Sequence, residues 1–215
     1  MNHLVYHSSE VAFFKADLNI VVERFVEWQK GIFHKHGWLI DIERRVDGVD
    51  GLAQALMPIV NAPITRHLFL TTKSGWVGYF DNGPNGTDSS GVVSVLSESL
   101  RIEAVRLVLS EEIPTAPNCP EFFRGTVAHR ALIFSHHCSA RESDLTMFSV
   151  NDGGRWKHDS YGINLDLLSF DTSVTREHPL NVERLVEICS LFGLHPLSRD
   201  WYGNDAVLVS KTRPN

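Results

Sequence analysis

The stretch Trp76-Val77-Gly78-Tyr79-Phe80-Asp81-Asn82-Gly83-Pro84-Asn85-Gly86-Thr87-Asp88 runs from an aromatic segment through a polar, glycine-rich loop toward an apolar repeat at Val92, Val93, Leu96 and Leu100. Loops held between rigid elements carry much of binding and catalysis, and the N–H groups at a helix start suit an anion or a carboxylate. Asp81 and Asp88 make a carboxylate pair of the kind acid/base chemistry uses at a defined separation, with Asn82, Trp76 and Tyr79 as a polar and aromatic lining. The competing reading is structural. Asp and Asn in loops bond their own backbone, and Asp88, Ser89 or Ser90 suits the cap of the following helix.

Specific loop chemistries fail on residue type. A Walker loop ends in Gly-Lys-Ser/Thr, whereas Gly86-Thr87-Asp88 has no lysine. A calcium loop counted from Asp81 places Gly83 third and Val92 twelfth, where carboxylates are needed. His34-Lys35-His36 and His136-His137-Cys138 look like ligand sets, but residues two apart on a helix, or adjacent on a strand, point apart. Only a loop placement would let the second cluster meet Glu142 or Asp144. No metal and no cofactor is therefore expected. Gly-x-Ser-x-Gly is absent, and Cys138 beside histidines is not by itself a nucleophile.

The elements that would position these residues follow from periodicity. After Asp17, a suitable N-cap, Leu18, Val21, Phe25, Trp28 and Ile32 make one helical stripe that ends near Gly37. Shorter helices are expected over Val49 to Met57 and Val92 to Leu100. Another is expected over Val182 to Phe192, with Cys189 on its apolar side and Gly193 as its stop. Strand-like runs cover 67–71, 76–80, 104–109, 127–135, 146–150, 155–158 and 206–210. Lys73-Ser74-Gly75 and Asn151-Asp152-Gly153-Gly154 read as hairpin turns, and Pro114 to Pro120 as an exposed loop. This mixture predicts an α+β fold over 1–215 as a single globular domain: a mostly antiparallel sheet with amphipathic helices packed on one face.

With 20 basic and 26 acidic side chains the formal net charge is −6, and no basic stripe offers itself to nucleic acid. Apolar runs are too short for a membrane helix, and the first ten residues lack a signal-peptide pattern. Three widely spaced cysteines suit a reducing compartment, so a cytoplasmic location is expected. Asn85-Gly86-Thr87 matches a glycosylation acceptor, but turn chemistry accounts for it better. Trp201-Tyr202, between Asp200 and Gly203, reads as surface.

At Trp76-x-x-Tyr79-Phe80-Asp81-Asn82, Gly86-Thr87-Asp88, Val92 to Leu96 and Asn151-Asp152-Gly153-Gly154-Arg155-Trp156, the chain resembles an uncharacterised family of small bacterial proteins. The likeness is to short motifs in the middle of the chain. It implies a bacterial, cytoplasmic, single-domain protein and attaches no reaction to it. The combined expectation is a non-catalytic binding protein, of the immunity or partner-neutralising kind, that meets a basic protein through Asp81, Asn82, Asp88, Trp76, Tyr79 and Trp201. The alternative is a small hydrolase or transferase using Asp81 and Asp88 with His136 or His137 brought in by folding. A structural subunit would show an apolar patch and self-association.

Overall fold

A computed structural model describes residues 10–57, 64–82, 89–109, 129–136, 146–152, 155–161 and 182–213. Asp88, His137, Cys138 and the Pro114–Pro120 loop lie outside them. Helix α1, Leu18–Phe33, starts as its sequence predicts: Asp17 Oδ1 accepts the Asn19 N–H at 2.8 Å, which satisfies one of the donors a helix start leaves open. Leu18, Val21, Val22, Phe25, Val26 and Gln29 make its buried stripe. The chain leaves through the 3-10 helix His34–His36 and Gly37, whose φ of 70° is the left-handed stop glycine supplies cheaply.

Among the described residues, nine strands form one sheet in the order β2-β9-β3-β4-β1-β5-β6-β7-β8, every neighbouring pair antiparallel. They are β1 Glu10–Phe14, β2 Leu39–Arg45, β3 Ile64–Thr72, β4 Val77–Asp81, β5 Glu103–Leu109, β6 His129–His136, β7 Thr146–Asp152, β8 Arg155–Tyr161 and β9 Tyr202–Thr212. The antiparallel α+β expectation holds. The Lys73–Gly75 segment joins β3 to β4 as a hairpin, with Gly75 at φ 78° and Thr72 Oγ1 donating to the Trp76 carbonyl at 2.7 Å. β7 and β8 pair up to Asp152 opposite Arg155, the second hairpin.

The helices divide between two faces, whereas the sequence reading put them on one. α1 and α3, Ser90–Leu100, pack on Ala12, Phe14, Phe69, Val77, Tyr79, Ala104, Val207 and Val209. α2, Leu52–Leu56, and α4, Val182–Leu191, pack with Val11, Phe13, Leu68, Leu70, Phe80, Val105 and Leu208 on the other side. The cause is visible along β1 and β3. Val11 and Phe13 face one way and Ala12 and Phe14 the other, so both faces of the central strands are apolar and both need cover.

The expected helix over Val49 to Met57 is a 3-10 helix, Gly48–Gly51, leading into α2. Gly48 has φ 54°, and a Cβ there would lie 2.8 Å from the Gly203 carbonyl oxygen on β9. Gly48→Ala is expected to cost about 1 to 3 kcal/mol, because left-handed backbone and a backbone clash coincide. The readout is a lower denaturant midpoint at constant slope; an unchanged midpoint would show that the turn moves aside without penalty.

Candidate functional site

Alternation along β4 sends Val77, Tyr79 and Asp81 toward α1. Tyr79 is fully buried; its hydroxyl donates to Asp81 Oδ2 at 3.1 Å and lies 2.8 Å from His67 Nδ1. With the hydroxyl proton directed at Asp81, the His67 Nδ1–H donates to the tyrosine oxygen, an assignment made from the hydrogen-bond network. Nε2 then keeps its lone pair, and no hydrogen-bond partner among the described residues reaches it. The His67 ring is 8% exposed and packs 4.9 Å from the Phe25 ring. Burial, and next the charge of Lys211, pull the imidazole down to about 3, so His67 is neutral at pH 7.

Sheet register explains why Lys211 is there. One row across the sheet reads Ile40, Lys211, Thr65, and the next same-facing row reads Ile42, Val209, His67, Asp81. Lys211 is 7% exposed; its Nζ donates to Gln29 Oε1 of α1 at 2.7 Å and sits 4.2 Å from the Phe33 ring centroid. Burial pushes the amine down to about 8, against the opposing pull of Asp81. The polar cluster beneath α1 therefore combines a hydrogen-bonded chain, Asp81 to Tyr79 to His67, with an ammonium held from three sides.

The structure joins Tyr79 and Asp81 and uses Asn82, Trp76 and Trp201 elsewhere. Asn82 Oδ1 accepts the Arg66 N–H at 2.8 Å and its amide donates to the Ile64 carbonyl at 3.4 Å, so Asn82 prolongs the β3–β4 pairing. Trp76 and Trp201 are buried among the residues of the opposite face. This corrects the reading of Trp201-Tyr202 as surface. The Trp201 indole N–H donates to Ser74 Oγ at 2.8 Å, its ring lies edge-on to Phe13 at 5.4 Å, and the Tyr202 hydroxyl donates to the Pro196 carbonyl at 3.0 Å. Both aromatics are anchored where the chain turns into β9, which the flanking Asp200 and Gly203 disguise. Cys189 is buried as its helical position predicts, and burial raises its thiol to about 12, far from a thiolate at neutral pH. His136 is the last residue of β6.

Sequence reasoning missed His67, Lys211 and Gln29, whose common feature is polarity at a position that strand or helix periodicity assigns to the core. It also missed β2. Among the described residues β2 pairs with β9 alone and forms one end of the sheet. Leu39 and Ile42 on it are 67% and 50% exposed. Arg44 donates to Asn19 Oδ1 at 2.6 Å and Trp38 meets Phe33 at 5.2 Å, which hold this edge against α1. Arg45 is bound by Glu43 at 3.0 Å and Asp47 at 2.5 Å.

No group of three or more His, Cys, Asp or Glu side chains among the described residues could hold a metal ion, and no described helix is long and apolar enough to cross a membrane. Comparison of the chain with family models, curated proteins and solved structures finds no match.

Proposed function

We propose that the protein is a non-catalytic binding module that takes an extended, basic segment of a partner protein along the outer edge of β2. The observation that carries this reading is the exposure of Leu39 and Ile42 on a strand paired on one side only, among the described residues. A strand edge presents a row of N–H and C=O groups, and an added strand satisfies them while side-chain pockets select its sequence. Leu39 and Ile42 lie on opposite faces of the sheet by alternation, so an added strand meets an apolar contact on each side.

Charge sets the sign of the partner. Asp41, Glu43 and Asp47 place three carboxylates along this end against two guanidiniums, Arg44, which bonds Asn19 of α1, and Arg45, which pairs with Glu43 and Asp47. The net charge of −6 adds long-range attraction for a basic chain. The buried cluster beneath α1 contributes rigidity, because Lys211 ties β9, on which β2 rests, to Gln29 of α1.

The test uses the double variant Leu39→Lys, Ile42→Lys, which places positive charge on exposed positions without entering the core. A stoichiometric complex with a basic protein of the native host, seen by native mass spectrometry and weakened by salt, is expected to lose on the order of tenfold or more in affinity, with circular dichroism unchanged. Equal affinity in the variant, or no basic protein partner at all, overturns the proposal.

One observation favours a second reading, the small hydrolase or transferase. The Asp81–Tyr79–His67 chain ends on an imidazole nitrogen with no hydrogen-bond partner among the described residues. In that reading Asp81, the partly exposed end, meets substrate, and Asp81→Asn abolishes turnover while leaving the fold intact.

A further inference from the structure

On the side of the sheet away from α1, the Gly48–Gly51 helix faces the β3–β4 turn and the start of β9 across a groove of about 340 Å3. That volume lies in the range of small-molecule sites. The groove borders closely packed chain: a Cβ on Gly203 would lie 2.3 Å from Thr71 Oγ1, and one on Gly48 would strike the Gly203 carbonyl. Its walls are joined by a single ion pair, Arg199 with Asp50, both side chains more than half exposed. Lys73 and Asp200 line the same groove, and neither side chain has a hydrogen-bond or ion-pair partner among the described residues. Val49 adds apolar surface.

We propose that this groove binds a small zwitterion of the α-amino-acid class. Three carboxylates, Asp47, Asp50 and Asp200, and two cations, Arg199 and Lys73, line it; Asp47 is already paired with Arg45, which leaves two charges of each sign for a guest. A guest bearing one carboxylate and one ammonium preserves that balance, whereas a net anion or a net cation does not. The carboxylate goes to Arg199 and Lys73, and the ammonium to Asp50 and Asp200. To enter, the guest exchanges with the Arg199–Asp50 pair, and an exposed pair of this kind contributes little to stability, so opening it is cheap. Each protein charge regains an opposite partner, and Lys73 and Asp200 gain one they lack. Asp47, also at the groove, stays with Arg45 and takes no part in the exchange. Val49 favours an apolar side chain on the guest.

Calorimetric titration of the full chain with L-leucine, N-acetyl-L-leucine and L-leucine methyl ester tests this, because the two derivatives each remove one charge. L-leucine is expected to bind one-to-one, each derivative to bind at least about tenfold more weakly, and Arg199→Gln and Asp200→Asn each to weaken L-leucine by a similar factor. Both variants sit at exposed side chains, and their melting temperatures are expected to match the parent protein. Absence of saturable binding by L-leucine, equal binding of parent and derivatives, or indifference to both substitutions overturns the proposal. No outcome depends on the β2 edge, which the titration does not engage.

Discussion

As pH falls from 6.5 toward 3 the folded protein is expected to lose up to about 5 kcal/mol of stability through His67 alone. The folded state keeps the imidazole neutral down to about 3, while in the unfolded chain it protonates near the ordinary histidine value of 6.5. Within that window the unfolded state binds more protons, so stability rises with pH and is lost on acidification. That depression, at about 1.4 kcal/mol for each tenfold change in proton affinity, sets a ceiling on the order of 5 kcal/mol. Carboxylates also titrate there, so the informative quantity is the difference between the parent protein and His67→Phe, which keeps a ring at the site and removes the titrating nitrogen. Denaturant midpoints at several pH values between 5 and 7 are expected to fall more steeply for the parent. Parallel curves would mean that a proton reaches His67 in the folded state without penalty. Lys211 acts at the other end of the scale with the same sign: its folded value is also depressed, so its contribution rises with pH from about 8 toward the ordinary lysine value.

Phe25→Ala is expected to cost about 3 to 5 kcal/mol, a large fraction of the total stability of a typical domain. The ring is fully buried, and its centroid lies 4.9 Å from His67, 5.0 Å from Phe69, 5.9 Å from Trp28 and 6.1 Å from Tyr79. It is the apolar cover of the polar cluster. Removing it leaves a void and opens a path for water to His67. Phe25→Leu, which keeps most of the volume, is expected to cost about 1.5 kcal/mol or less. Chemical denaturation gives the energies, and NMR titration of the His67 ring in Phe25→Leu is expected to show its pKa moving up toward the ordinary histidine range. A Phe25→Ala protein as stable as the parent would show that α1 closes over the gap.

Local pattern made some of this architecture readable and concealed the rest. α1 was legible because Leu18, Val21, Phe25 and Trp28 repeat at helical spacing behind a capping aspartate, and the β3–β4 hairpin because Gly75 marks a turn that needs positive φ. β1 was not legible: Val11 to Phe14 are all buried, half on each face, so neither alternation nor helical period remains in the run. β2 hid behind Asp41, Glu43, Arg44 and Arg45, charges that mark an edge strand as readily as a solvated loop. In the cluster, Tyr79 and Asp81 could be paired from their spacing along one strand. His67 and Lys211 could not, since only the pairing of β3 with β4 and β9 brings them together, and nothing local to any of those strands encodes a partner so distant in sequence.

β9 lies between β2 and β3, both of which precede it by a long stretch of chain. During synthesis, β2 leaves the ribosome long before the strand it pairs with, and it joins the sheet only when Tyr202–Thr212 slots in beside it. Until then β3 waits with one side open, and this late, non-local closure is slow and prone to misassociation. The edge on which Leu39 and Ile42 are displayed therefore forms only after β9 has been made. A chain cut before Tyr202 has no paired β2 to present.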